Sequence, residues 1–146
     1  MYAGAMDSIT GFLVSMLSTT PHYNEDADYE RLLDDIHKQQ LKQPPPEGFI
    51  HILSTSNQWP QPNAIWRKRF AEAREKQLHP VHFALISPSP IVRGVVTAVS
   101  WVAPPKNGSS TAWPNFGEAL VALEQRFKKK LPILQKLYDD ASMRIR

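Results

Sequence analysis

Hydrophobic and polar positions alternate along this chain in two rhythms, and the switches between them mark the elements. Residues Ile9 to Leu17, ITGFLVSML, are a run of β-branched, aromatic and aliphatic side chains ahead of a polar break at Pro21, which predicts a first strand. From Asn24 the period becomes helical. Ala27, Leu32, Leu33 and Ile36 recur on one face of EDADYERLLDDIHKQQLKQ, Asn24 is a natural N-cap, and the acids of the first turn lie where the helix dipole favours them. PPPEG, Pro44 to Gly48, cannot continue a helix and predicts a stiff extended connector.

The same alternation then repeats. FIHIL, Phe49 to Leu53, predicts a central strand, and STSNQWPQPN after it is loop chemistry. Pro62 or Asn63 opens AIWRKRFAEAREKQL, where Ile65, Trp66, Phe70, Ala73 and Leu78 interleave with charges at helical spacing. Val81 to Ile86 predicts a third strand. Further on, TAW (Thr111 to Trp113) reads as a short edge strand. FGEALVALEQRF begins with a capping-type Asn-Phe-Gly-Glu and puts Phe116, Leu120, Leu123 and Phe127 on one face. Pro132 separates it from a last helix with Ile133, Leu134, Leu137, Tyr138 and Ala141 to bury.

Between the third strand and TAW lies SPSPIVRGVVTAVSWVAPP, Ser87 to Pro105, apolar on almost every side. Ser89 is a natural N-cap, and Pro90 suits the first helical position, where its missing N–H costs nothing. Arg93, Gly94, Thr97 and Ser100 leave only a narrow polar stripe, so this helix is expected to be covered on most sides, by the sheet and by neighbouring helices or a second subunit. Strands alternating with helices predict an α/β fold with a parallel or mixed sheet and crossover helices on its faces.

Composition narrows the classes. A chain of 146 residues with 42% hydrophobic and 21% charged residues fits one domain with one core. A net charge of +3 is only mildly basic, and much of it sits in Lys128, Lys129, Lys130, Lys136, Arg144 and Arg146. There is no cysteine, so disulfides and thiolate metal sites are excluded, and a reducing, cytoplasmic setting is expected. The N-terminal segment has no basic leader and is not read as a signal peptide. Ser87 to Pro105 has the length of a membrane span, but its prolines and Arg93 mark it as a buried core helix, so no membrane insertion is expected.

FALISPSPIVRGVVTAVSWVAPP, together with FGEALVALEQRF, resembles a group of bacterial STAS-like proteins, related to anti-sigma-factor antagonists and common in myxobacteria. The likeness spans Ile9 to Phe127, and its distinctive part is Ser89 to Pro105. It implies a small mixed or parallel four- or five-stranded sheet with helices mainly on one face, no cofactor, and a regulatory, protein-interaction role in signalling. Residues 1–130 would then form the STAS-like domain and 131–146 a C-terminal helical extension. Antagonist proteins of this kind carry an Asp-Ser pair where the serine is phosphorylated. Here the corresponding loop reads Ser54, Thr55, Ser56, Asn57, with no aspartate before a serine; these three hydroxyls are the phosphorylation candidates.

Catalytic chemistry has little to stand on. No serine with a placed base, glycine-rich phosphate loop or paired-carboxylate spacing is present, and His51, His79 and His82 read as surface or loop histidines rather than metal ligands. WRKRFAEAREK mixes Glu72 and Glu75 among its bases and reads as a solvated helix face, so no nucleic-acid partner is expected. Arg93 sits in a first turn, where its charge opposes the dipole. It reads as a salt-bridged or solvent-reaching side chain, with an anion or acidic-partner contact as the functional alternative. The candidates for such a contact are Ser87, Ser89, Arg93 and Trp59. The sequence thus leaves two readings: a non-enzymatic module that binds a protein partner or itself as a homodimer, or a small-ligand carrier for a lipid or nucleotide, with a pocket lined by Phe12, Phe49, Trp66 and Trp101.

Overall fold

Five strands lie side by side in chain order in the computed structural model, which describes residues 1–19, 23–56, 59–60, 62–94 and 108–145. They are β1 (Tyr2–Met6), β2 (Leu13–Leu17), β3 (Phe49–Thr55), β4 (Val81–Ile86) and β5 (Gly108–Trp113). β1 runs antiparallel to β2, and every later neighbour is parallel. The helices are α1 (Glu25–Gln40), α2 (Ala64–Glu75), a helical segment described over residues 90–94 (α3), α4 (Phe116–Phe127) and α5 (Pro132–Ile145). The fold is α/β with a five-stranded mixed sheet, as the alternation predicted.

Each parallel step needs a crossover, and right-handed crossovers that always advance in the same direction leave their helices on one face. Leu17, Tyr29, Leu32, Leu33, Trp59 and Trp66 accordingly form one core with α1 and α2. The opposite face is not left open. After β5 the chain turns back, and α4 and α5 bury Val14, Ile50, Ile52, Ala84 and Ile86 under Leu123, Leu134 and Leu137. The C-terminal helix, expected as an extension, lies across β1 and β2, with Arg144 donating to the Gly4 carbonyl.

Three asparagines set three helix starts. The side chains of Asn24, Asn63 and Asn115 accept from the amides of Ala27 (3.1 Å), Trp66 (3.0 Å) and Glu118 (2.9 Å), satisfying donors that have no partner within the helix.

The first strand differs from the expectation. The run Ile9 to Leu17 contributes only β2, while β1 comes from YAGAM, whose glycine and alanines have poor strand propensity. Asp7 makes the hairpin turn, its carboxylate accepting from the Thr10 amide (2.8 Å) and hydroxyl (2.7 Å); Gly11 then takes a φ of 71°. Ile9 is exposed on that turn. β5 begins at Gly108, earlier than TAW alone suggests, because pairing with β4 outweighs its Gly-Ser-Ser composition. The apolar helix predicted over residues 89–102 begins as expected: Pro90 is helical, and the Ser89 carbonyl accepts from the Arg93 amide at 3.1 Å. Residues 95–102 lie outside the described residues.

Candidate ligand cavity

Side chains of a strand alternate faces, so Leu17 of β2, His51, Leu53 and Thr55 of β3, and Phe83 and Leu85 of β4 all point toward α1 and α2. Among the described residues, α1 and α2 do not fill the space above them: a cavity of about 520 Å³ is lined on the helix side by Tyr29, Leu32, Ile36, Phe70 and Ala73 and toward its ends by residues such as Trp59, Val92, Leu41 and Leu78. Its size falls within the range of about 300–1,000 Å³ usual for small-molecule sites.

An aromatic cluster stiffens one end. Tyr29 meets Trp59 and Phe70 edge-on, with ring centroids 5.8 and 5.2 Å apart, and the Trp59 indole donates to the Tyr29 hydroxyl at 2.8 Å. Trp66 donates to Asp26 at 2.8 Å, under the Arg69 guanidinium at 4.4 Å. Burial raises the Tyr29 phenol above its ordinary range, so it stays neutral.

The wall carries two cations, Arg74 and Lys76 at the end of α2, while its sheet side is polar but uncharged. Burial pulls the His51 imidazole down to about 3, so the ring is neutral. Its Nε2 lies 3.0 Å from the Ser15 hydroxyl, which lies 3.1 Å from the Tyr2 hydroxyl, and that phenol donates to Asp35 at 2.5 Å. The His51 Nε2 and the Ser15 and Tyr2 hydroxyls are thus satisfied from behind the wall. Thr55 differs: the residue is 8% exposed, lines the cavity, and its Oγ1 has no hydrogen-bond partner among the described residues. A buried hydroxyl without a partner costs roughly 1–3 kcal/mol.

The candidates read from the sequence separate into groups. Ser87, Ser89 and Arg93 do meet, at the end of β4, and they bond mainly to one another. The Arg93 guanidinium donates to the Ser87 carbonyl at 2.6 Å, the Ser87 hydroxyl accepts from the Ser89 amide at 3.2 Å, and the Ser87 amide donates to the Trp113 carbonyl at 3.0 Å. Trp59 stands in the cavity wall. Of the hydroxyls proposed for phosphorylation, Thr55 faces the cavity, Ser54 is half-buried on the alternate face of β3, and Ser56 accepts from the Thr19 amide at 3.4 Å. The expected pocket lining is different from the observed one. Phe12 packs in the opposite core with Val14 and Met16, while Phe49 and Trp66 are buried without lining the cavity. Trp101 lies outside the described residues.

His79 falls before β4 rather than in it, edge-on to Phe49 at 5.9 Å. The Nε2–H of His82 donates to the Glu47 carbonyl at 2.9 Å, so Nδ1 accepts from Ser109 at 2.9 Å, and burial holds this ring below its ordinary value. Among the described residues no group of three or more histidines and carboxylates could hold a metal. Sequence reasoning missed His51 and Thr55 as cavity groups; the signal was present in the alternation Phe49, His51, Leu53, Thr55 of β3.

Comparison of the chain with protein-family models, with curated proteins and with solved structures finds no match.

Proposed function

We propose that this chain is a non-catalytic carrier or sensor for a small, elongated apolar molecule bound between the sheet and helices α1 and α2. The observation that carries the reading is the cavity of about 520 Å³ with the unpaired Thr55 hydroxyl in its wall. Apolar side chains dominate the lining, the neutral His51 adds no charge, and the two cations, Arg74 and Lys76, stand together at one end, which favours an acyl or isoprenoid chain over a nucleotide, whose several phosphates need more cations or an amide cradle. Thr55 would bind the ligand's one polar group, recovering the hydrogen bond that the empty site lacks.

Native mass spectrometry of freshly purified protein tests this. Added mass that survives gentle ionisation and is lost in Leu53→Trp, which fills the cavity, is the expected result. Apo protein that also fails to take up a fluorescent fatty-acid probe in solution would overturn it.

A second reading is a STAS-like interaction module that binds a protein partner or forms a homodimer in the cytoplasm. Ile65 and Ile91, 70% and 74% exposed on the helix layer, favour it. The five-stranded sheet is in keeping with the resemblance carried by Ser89 to Pro105. A monomeric mass in the same spectrum at tens of micromolar counts against the homodimer.

A further inference from the structure

The exposed part of the cavity lining gathers at one end of the molecule, where the chain turns from α1 and α2 back into β3 and β4. Leu41 and Leu78 stand there, 84% and 73% exposed although both line the cavity. They are held side by side. The Gln40 carboxamide accepts from the amides of Leu78 and His79, each at 2.9 Å, and donates to the His79 carbonyl at 3.3 Å, so the two loops move as one rim.

Basic residues surround this rim for a reason that starts in the sequence. Bases are favoured at helix C-termini, and α1, α2 and α4 each follow a parallel strand and run back against it, so all three end here. The result is Lys38 in the last turn of α1 and Lys42 after it, Lys76 after α2, and Lys128, Lys129 and Lys130 after α4. Glu47 pairs with Lys129 at 3.3 Å and Glu124 lies 3.9 Å from Lys130; Glu75 precedes Lys76, and Asp35 lines a shallow surface pocket with Lys38, Leu41 and Lys42. At the opposite end α1 begins with Glu25, Asp26 and Asp28. Arg67 and Lys68 open α2 at that same end and the amino terminus pairs with Asp28 there, so the charge asymmetry of the molecule lies in the lysines of the rim.

We propose that the Leu41–Leu78 end docks on an anionic lipid surface, with the two leucines reaching the headgroup boundary and Lys38, Lys42 and Lys76 meeting phosphates. Exposed leucines flanked by lysines fit a bilayer surface, which offers apolar depth and negative charge together. The inference rests on the carrier reading in one respect: the docked end is the cavity mouth, so an apolar ligand passes between bilayer and cavity without crossing water.

Co-sedimentation with vesicles of phosphatidylcholine, alone or mixed with phosphatidylglycerol, is the test. Binding to the mixed vesicles, weakened by salt, is expected. The triple variant Lys38→Gln, Lys42→Gln, Lys76→Gln should lose on the order of a hundredfold in affinity, since each lysine near the surface contributes about fivefold. Leu41→Ser with Leu78→Ser should lose at least about tenfold. Melting temperatures close to wild type are expected, because Lys38, Leu41, Lys76 and Leu78 are exposed and Lys42 is only half-buried. Equal binding to both vesicle types, or lysine variants that bind like wild type, would overturn the proposal. So would a preference for heparin or duplex DNA that the leucine variants leave intact, which would mark a polyanion site instead. Leu53→Trp separates the two ideas: it should abolish uptake of the fatty-acid probe in solution and leave vesicle binding unchanged. Vesicle binding without any probe uptake would remove the carrier reading and leave the docking surface standing.

Discussion

Acidification should destabilise this protein through one buried ring. His51 is neutral in the folded state down to about 3, whereas in the unfolded chain it takes a proton near its ordinary value of 6.5. Below that value the unfolded state binds the extra proton, so stability falls as pH falls, by about 1.4 kcal/mol per pH unit. Between about pH 7.5 and about pH 4.5 the loss reaches roughly 2–3 kcal/mol, or a drop in Tm of roughly 5–10 °C for a chain of this size. Urea unfolding across that window, followed by tryptophan fluorescence, measures it. His82, lowered by burial, and Asp7, Glu30 and Glu47, whose hydrogen-bonded carboxylates sit below their ordinary values, push in the same direction. The decisive quantity is therefore the difference from His51→Leu, a variant of similar size whose loss leaves the Ser15 hydroxyl bonded to Tyr2. That variant should have a flatter pH profile by roughly 2–3 kcal/mol over the window. Parallel profiles would show that His51 is protonated in the fold and would refute the neutral imidazole.

Two further substitutions bear on the site. Thr55→Val removes the unpaired hydroxyl; the ligand-free protein should gain about 1 kcal/mol and roughly 2–4 °C in Tm by calorimetry, while ligand retention weakens. A lower Tm would mean that the hydroxyl has a partner. Arg93→Ala deletes the donor to the Ser87 carbonyl and should cost about 1–2 kcal/mol in urea unfolding with probe uptake unchanged. Unchanged stability with loss of an acidic partner would instead support Arg93 as a contact residue.

Much of the fold could be read from local pattern, because helix period, asparagine caps and proline breaks act over a few residues. α1, α2, β3, β4 and α4 begin within a residue or two of where their signals place them. β1 could not be read. YAGAM holds its place through pairing with β2 and cover from α1 and α5, which are contacts between residues distant in the chain. Among the candidate residues, the Ser87–Arg93 corner was legible because it is local. The cavity was not, since its wall joins alternate residues of three strands to two helices.

The sequence by itself determined the α/β alternation, the helix starts, the acids in the first turn of α1 and the bases of the last turns, since each depends on neighbours a turn away. Only the tertiary structure decided that the sheet is covered on both faces and that β3 turns His51 and Thr55 into an apolar space. It also decided that three helices ending together gather their lysines beside Leu41 and Leu78. Those outcomes depend on strand order and on volumes left between layers, which no local preference encodes.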